Sequence, residues 1–187
     1  MKYLFFVFFN IVVLSSYLHA YTPVSAEDLQ FLRVTYYSAV ENEDDVETLS
    51  NFIVKKFGSD RTKYPPIILA YVGGIEALKS KHAFWITTKY SLLIKSMEIF
   101  EKAVEKDPNN LEIRFMRFSI LHYVPSLLGY GKEREEDANE IFKLLMKKDF
   151  SLVNKEIQIG IFEFMISSER IDNASIKILQ KELSLLR

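Results

Sequence analysis

The chain has 187 residues, of which 49% are hydrophobic, and its formal net charge is −1. This balance is typical of a globular domain with a substantial core and excludes an intrinsically disordered chain. The near-neutral charge provides no basic surface of the kind that nucleic-acid binding requires, so we expect no nucleic-acid partner. The absence of cysteine excludes disulfides, thiolate metal ligands, cysteine nucleophiles and a lipid-modified N-terminal cysteine.

Residues 1–20 have the pattern of a secretory signal peptide. A positive start at Lys2 precedes a mostly apolar run, YLFFVFFNIVVLSSYLHA. We expect cleavage after Ala20, or as late as Ala26. A retained membrane anchor is the competing interpretation, but the run is short for a spanning helix and is interrupted at Asn10 and Ser15. The mature protein is therefore predicted to be exported to the periplasm or cell envelope, without stable membrane insertion.

Helical periodicity predicts seven or eight helices after this segment, and no segment shows the alternation of a strand. The predicted spans are 25–41, 44–57, 66–81, 88–106, 111–124, 133–148, 152–167 and 173–186. Local signals set several limits: Ser25 can cap the first helix together with Asp28, Gly58 ends the second, and Pro66 begins the third. The stretch HAFWITT is interpreted as an aromatic-rich connector.

Two predicted helices carry further information. Gly73 and Gly74 are adjacent in helix 66–81, where each costs about 1 kcal/mol relative to alanine, so they indicate close approach of a neighbouring helix or of a ligand. We favour helix packing. Helix 111–124 is apolar around most of its circumference and is expected to lie buried between neighbours. Residues 21–187 are thus predicted to form a single all-α domain of antiparallel hairpins.

One helix resembles the second helix of a tetratricopeptide repeat, whose pattern runs Ala-x3-Phe…Pro. Ser96, Phe100, Ala103 and Pro108 match this spacing, with serine in place of the first alanine. The spacing recurs at 138–142, but Phe150 stands where the proline would be, and no Trp-x2-Leu-Gly-x2-Tyr pattern precedes either helix. The resemblance covers one unit at 88–122 and implies a right-handed array of stacked helical hairpins.

A second resemblance involves the stretch LEIRFMRFSI…VPSLLGYGKEREED. It is similar to an uncharacterised family of small exported helical proteins of Bacteroidetes-type bacteria. This resemblance implies export and a helical fold, and it implies no activity.

The sequence contains no recognisable catalytic motif. His19, His82 and His122 are the three histidines, and none has a partner three or four residues away. There is no HExxH pair, no glycine-rich phosphate loop and no GxSxG elbow. We therefore predict a protein that is not an enzyme and that uses no cofactor or metal.

Arg114 and Arg117 are unusual because they lie on the otherwise apolar helix 111–124. A buried guanidinium needs carboxylate or carbonyl partners. One interpretation is a structural ion-pair network with Glu101, Glu105 or the acids of EREED at 133–137. The other is a site for a carboxylate or phosphate, since the planar guanidinium binds such groups at two points. The structural interpretation is favoured.

A second candidate site is a groove. The first helix of each unit in a tetratricopeptide-like array lines the concave surface, and helix 111–124 presents several residues on one face. Aromatic residues of flanking segments are candidates to add contacts to a bound peptide. The candidate groove residues are Glu112, Phe115, Ser119, His122, Tyr71, Trp85 and Tyr130. The function that we predict is binding of another envelope protein or peptide, and the alternative is binding of a small molecule or anion at Arg114 and Arg117.

Overall fold

The computed structural model describes residues 21–187, which form eight α-helices and contain no β-strand. The helices are α1 (Ala26–Ala39), α2 (Asp44–Phe57), α3 (Pro66–His82), α4 (Ile86–Lys106), α5 (Leu111–Tyr123), α6 (Gly131–Met146), α7 (Lys155–Ser168) and α8 (Asn173–Leu186). The all-α prediction is confirmed for this part of the chain. The predicted signal peptide, at 1–20, lies outside the described residues.

Local capping signals explain most of the helix limits. Ser25 accepts a hydrogen bond from the backbone of Asp28, and the Asp28 carboxylate accepts one from the backbone of Ser25, which completes a capping box. Gly58 ends α2 with φ of +79°, a conformation that glycine adopts without strain. Asn110 caps α5 by accepting hydrogen bonds from the next turn.

Several predicted helix limits differ from the observed ones by one to three residues. Helix α4 begins at Ile86 rather than residue 88, and α6 begins at Gly131 rather than residue 133. HAFWITT is therefore not a long connector, because only residues 83–85 separate α3 from α4. Helix α7 begins at Lys155 rather than residue 152, because Asn154 caps it by accepting from the backbone of Ile157.

The helices pack largely as consecutive antiparallel pairs, α1 with α2, α3 with α4, α5 with α6, and α7 with α8. The Gly73–Gly74 pair allows the two neighbours of α3 to come close. An added Cβ at Gly73 would lie 2.8 Å from the Phe100 ring, and one at Gly74 would lie 2.6 Å from the Tyr36 ring. Ser96 Oγ also donates to the Gly73 carbonyl at 2.7 Å. The prediction that these glycines serve close helix packing is confirmed.

Two clusters of buried side chains form the core, one built mainly by α1–α5 and the other by α5–α8. Helix α5 contributes to both, since Ile113 and Leu121 belong to the first cluster and Phe118 to the second. This position explains why α5 is apolar around most of its circumference. Within residues 21–187, no helix is both long enough and apolar enough to cross a membrane.

Candidate functional site

The first helix of each pair, α1, α3, α5 and α7, contributes to one groove of about 860 Å³, which we call the inner groove. The groove is only partly enclosed. Its lining is Arg33, Tyr36, Tyr37, Val40, Glu41, Tyr71, Ala77, Leu78, Lys81, Glu112, Phe115, Met116, Ser119, Ile120, Tyr123, Ile157, Ile161 and Phe164. Most of these side chains are apolar or aromatic, as is usual for surfaces that bind other molecules.

One end of the inner groove contains a compact polar cluster. Arg33 Nε donates to Glu112 Oε1 at 2.9 Å, and Arg33 Nη2 donates to Glu112 Oε2 at 2.6 Å. The Tyr71 hydroxyl donates to Glu112 Oε1 at 2.7 Å. Arg33 and Glu112 expose only 17% and 10% of their side chains, so this two-point ion pair is largely shielded from water. These hydrogen bonds link α1, α3 and α5 through the Glu112 carboxylate.

The arginine of this cluster keeps unused donors. Arg33 Nη2 also donates to the Leu152 carbonyl, at 3.2 Å, so Nε and Nη2 are both occupied. Within residues 21–187, Nη1 has no hydrogen-bond acceptor. The hydrogen bond to Glu112 raises the pKa of Arg33, and burial raises the pKa of the Tyr71 hydroxyl well above its usual value. The Arg33 guanidinium therefore stays charged, and Tyr71 remains a neutral donor.

The opposite end of the groove is more exposed. Lys81 Nζ forms an ion pair with Glu41 Oε1 at 2.8 Å, and the side chains of Tyr37 and Tyr123 are 84% and 77% exposed. Glu112 and Tyr123 are eleven residues apart on α5, which separates them by about 16 Å along the helix. The groove thus extends from a nearly buried polar end to an open aromatic rim.

The walls between these ends are apolar. Phe115 on α5 packs edge-on against Phe164 on α7, with ring centroids 5.4 Å apart. Ser119 lies between them and the rim, half-buried, and its hydroxyl donates to the Met116 carbonyl of its own helix. Because the Ser119 hydroxyl already donates within its own helix, this part of the wall offers no free polar group that a ligand would have to match.

The structure brings together four of the seven predicted groove residues, since Glu112, Phe115, Ser119 and Tyr71 all line the inner groove. The other three lie elsewhere. His122 packs against the Phe164 ring at 5.4 Å but does not line the groove. Trp85 is 69% exposed in the turn between α3 and α4, and Tyr130 is half-buried against the first core cluster.

Arg114 and Arg117 lie in a buried ion-pair network. Arg117 binds Asp137 at two points, both 2.7 Å long, and Arg114 Nη1 donates to Asp137 at 2.9 Å and to Glu136 at 2.7 Å. Arg114 Nε also donates to the Pro108 carbonyl at 2.8 Å. These acids come from the run at 133–137 on α6 rather than from α4. The two arginines thus have the carboxylate and carbonyl partners that buried guanidinium groups require.

Arg33 was not among the residues predicted from the sequence, although the groove depends on it. A signal was present: Leu29, Arg33, Tyr36 and Val40 share one face of α1 by their spacing. A cation on an otherwise apolar helix face requires a buried partner. That partner is 79 residues away in sequence, at Glu112, which no local pattern could identify.

Among residues 21–187, no cluster of three or more histidine or acidic side chains has the geometry to hold a metal ion. Comparisons of this chain with known protein families, with curated proteins and with solved structures give no match.

Proposed function

We propose that the protein is a non-catalytic interaction module that binds an apolar peptide segment of a partner protein in the inner groove. The observation that carries this proposal is the groove itself: about 860 Å³, mostly apolar, and lined by four helices from α1 to α7. A surface of this kind is costly to leave open to water, and grooves of similar character bind amphipathic peptide segments.

The shape of the groove favours a peptide over a small molecule. Sites for small molecules usually enclose most of the ligand surface, whereas this groove is only partly enclosed. A peptide can place apolar side chains against Phe115 and Phe164 while its chain continues past the rim. Tyr37 and Tyr123 at the rim suit such a partner, because exposed tyrosines are enriched at protein interfaces.

The polar cluster suggests how the peptide backbone would be held. Arg33 lines the end of the groove, its Nη1 has no acceptor within residues 21–187, and its charge is already balanced by Glu112. A neutral acceptor suits this position better than an anion, which would lie close to the Glu112 carboxylate. A backbone carbonyl of the bound peptide is such an acceptor. Arg33 would therefore orient the peptide, and the apolar walls would supply most of the affinity.

We also propose that the four helix pairs form a right-handed tetratricopeptide-like array and that the protein acts in the periplasm or cell envelope. The array is supported by the first helix of every pair lining one groove, which is the arrangement that binds partners in such arrays. The location is supported by the signal-peptide pattern of residues 1–20 and by the resemblance to small exported helical proteins.

The proposal is tested with random dodecapeptides displayed on phage and selected against the protein. We expect the selected peptides to share apolar positions. Ser119→Phe fills the middle of the groove and should weaken their binding about ten-fold or more, as measured by fluorescence polarisation of labelled peptides. Ser184→Phe on α8 is the matched control, because the Ser184 hydroxyl also donates to the carbonyl three residues earlier and the residue is exposed outside the groove.

Two results would overturn the proposal. One is selection of peptides whose binding Ser119→Phe does not change, which would place the binding surface elsewhere. The other is failure to select any peptide from a library of high diversity while the apolar dye anilinonaphthalene sulfonate still binds in the groove. That result would point to a small-molecule site instead.

No structural observation favours the alternative function, an anion site at Arg114 and Arg117. Both guanidinium groups donate to Asp137, whose carboxylate is wholly excluded from water. An added anion would have to compete with this carboxylate at short range, which is unfavourable.

A further inference from the structure

Three basic side chains converge on one buried acidic side chain of α3. Glu76 exposes only 2% of its side chain, and its Oε1 atom lies 3.0 Å from Lys95 Nζ. Lys79 Nζ and Arg61 Nη2 lie 3.9 Å and 4.0 Å from the same oxygen. The three cations come from α4, from α3 and from a short 3₁₀ helix at Arg61–Lys63. We call these four residues the Glu76 cluster.

The Glu76 cluster has more positive than negative charge. Three basic side chains share one acidic side chain, which leaves a formal surplus of two positive charges. The nearest acid in sequence, Asp60, is occupied elsewhere, since it accepts from the backbone and hydroxyl of Thr62 and pairs with Lys63. One cation is enough to pair a buried carboxyl group, so the needs of Glu76 do not account for the other two.

The three cations are close together and accessible. Each nitrogen lies within 4.0 Å of Glu76 Oε1, so no two of them are more than about 8 Å apart, and like charges at this separation repel one another. Their side chains are about half exposed. Arg61 and Lys79 are also too far from Glu76 for a hydrogen bond, so both keep donors for another acceptor. The buried arginine network of α5 differs, because its guanidinium groups are at most 7% exposed and donate to acids at 2.9 Å or less.

We propose that the Glu76 cluster binds the phosphoryl group of a phosphate monoester. Such a group carries a charge of about −1.5 to −2 at pH 7 and has three acceptor oxygens, which matches a surplus of two charges on three cations. A carboxylate has one charge and two oxygens, and it would leave one cation without an acceptor. Arg61, Lys79 and Lys95 donate to the phosphoryl oxygens, and Glu76 keeps the three cations together when the site is empty.

This site is separate from the inner groove. Ala77, Leu78 and Lys81 of α3 line that groove, whereas no residue of the Glu76 cluster does. Glu76 and Lys79 therefore belong to another face of the same helix. The inference does not rest on the peptide-binding proposal, and the two sites can be occupied at the same time.

Direct binding to the full chain tests the proposal with methyl phosphate and inorganic phosphate as probes. At constant ionic strength, both should raise the melting temperature above its value in sodium chloride, because a ligand that binds only the folded chain stabilises it. Sodium acetate should raise it much less. Isothermal titration calorimetry then gives the dissociation constant. The proposal is overturned if methyl phosphate stabilises the protein no more than acetate or chloride does.

Two substitutions locate the site. Arg61→Met and Lys79→Met each remove one cation but leave Lys95 beside Glu76, so the buried acid keeps its closest partner. Each should weaken methyl phosphate binding about ten-fold, the effect of losing one charge-assisted hydrogen bond. Lys177→Met on α8 removes an equally positive, exposed side chain outside the cluster and should leave binding unchanged. Equal affinities for all four proteins, or an equal loss in Lys177→Met, would overturn the proposal.

The phosphoryl group can belong to a soluble molecule or to a lipid headgroup, and flotation with vesicles containing phosphatidic acid distinguishes these sources. Flotation that Arg61→Met abolishes supports the site and identifies a lipid. Binding of methyl phosphate without flotation supports the site and identifies a soluble ester. Flotation that Arg61→Met leaves unchanged, without binding of methyl phosphate, would overturn the proposal, because the vesicles would then contact another surface.

Discussion

Arg117 and Asp137 form a two-point ion pair between α5 and α6 that is almost completely removed from water. The side chains are 5% and 0% exposed, and both N–H···O distances are 2.7 Å. Asp137 also accepts a hydrogen bond from Arg114, so one buried carboxylate compensates two guanidinium groups. Removing one partner of a buried pair is costly, because the remaining charge is then neither paired nor solvated by water.

Asp137→Asn should therefore reduce the free energy of unfolding by about 3–5 kcal/mol, which urea denaturation followed by circular dichroism will measure. Glu136→Gln is the matched control, since Glu136 also pairs with Arg114 but its side chain is 52% exposed. We expect that variant to lose about 1 kcal/mol or less. Equal losses for the two variants would show that the network is not the buried structural element that its geometry indicates.

Gly73→Ala and Gly74→Ala should both lower the melting temperature. Each added methyl group enters a contact of 2.8 Å or less with an aromatic ring, and such overpacking costs about 1–3 kcal/mol. Alanine regains about 1 kcal/mol through its higher helix propensity, so the net loss should be modest. Gly160→Ala on α7 meets no atom within 4 Å and should instead stabilise the protein. Stabilisation by all three substitutions would contradict the close packing around α3.

The two buried tyrosine hydroxyls at Tyr71 and Tyr64 differ in their acceptors. Tyr71 donates to the Glu112 carboxylate, and Tyr64 donates to the Gly58 carbonyl. Hydrogen bonds to charged groups contribute about 1.5–3 kcal/mol, and those to neutral groups about 0.5–1.5 kcal/mol. Tyr71→Phe should thus reduce the free energy of unfolding more than Tyr64→Phe does in parallel urea titrations. The reverse order would contradict a strong hydrogen bond from Tyr71 to Glu112 in the inner groove.

His122 should make the protein less stable in mild acid. Burial, together with the positive charges of Arg170 and Arg134, lowers the pKa of His122 below its usual 6.5. Above that pH the imidazole is neutral in both states and has no effect. As the pH falls below about 6.5, the unfolded chain takes up a proton first, so the free energy of unfolding decreases.

The substitution His122→Gln removes the part of the pH dependence of stability that comes from protonation of His122. Between about pH 7 and pH 5, the variant should lose less stability than the unchanged protein, as urea titrations at both values will show. A nuclear magnetic resonance titration of the His122 ring checks the cause directly, since its midpoint should lie below 6.5. An identical pH dependence for the two proteins, or a midpoint above 6.5, would contradict the prediction.

The helical character and most helix limits could be predicted from the sequence, because the signals for these are local. Ser25 with Asp28, Gly58, Pro66 and Asn110 each act within about one helical turn. The periodicity of 111–124 also predicted that α5 is buried between neighbours. Where limits were wrong, as at the start of α7, a competing cap at Asn154 decided the outcome.

Which residues meet depends on the packing of the helices against one another. Arg33 and Glu112 are 79 residues apart, Arg117 and Asp137 are 20 apart, and the inner groove draws on residues from 33 to 164. The sequence could indicate that Arg114 and Arg117 need acidic partners, because an unpaired buried charge is costly on any helix. It could not indicate Arg33 as part of the groove or Trp85 as a separate exposed surface. Those depend on how the helix pairs stack, and stacking is fixed by the fit of side chains across helices rather than by any short stretch of sequence.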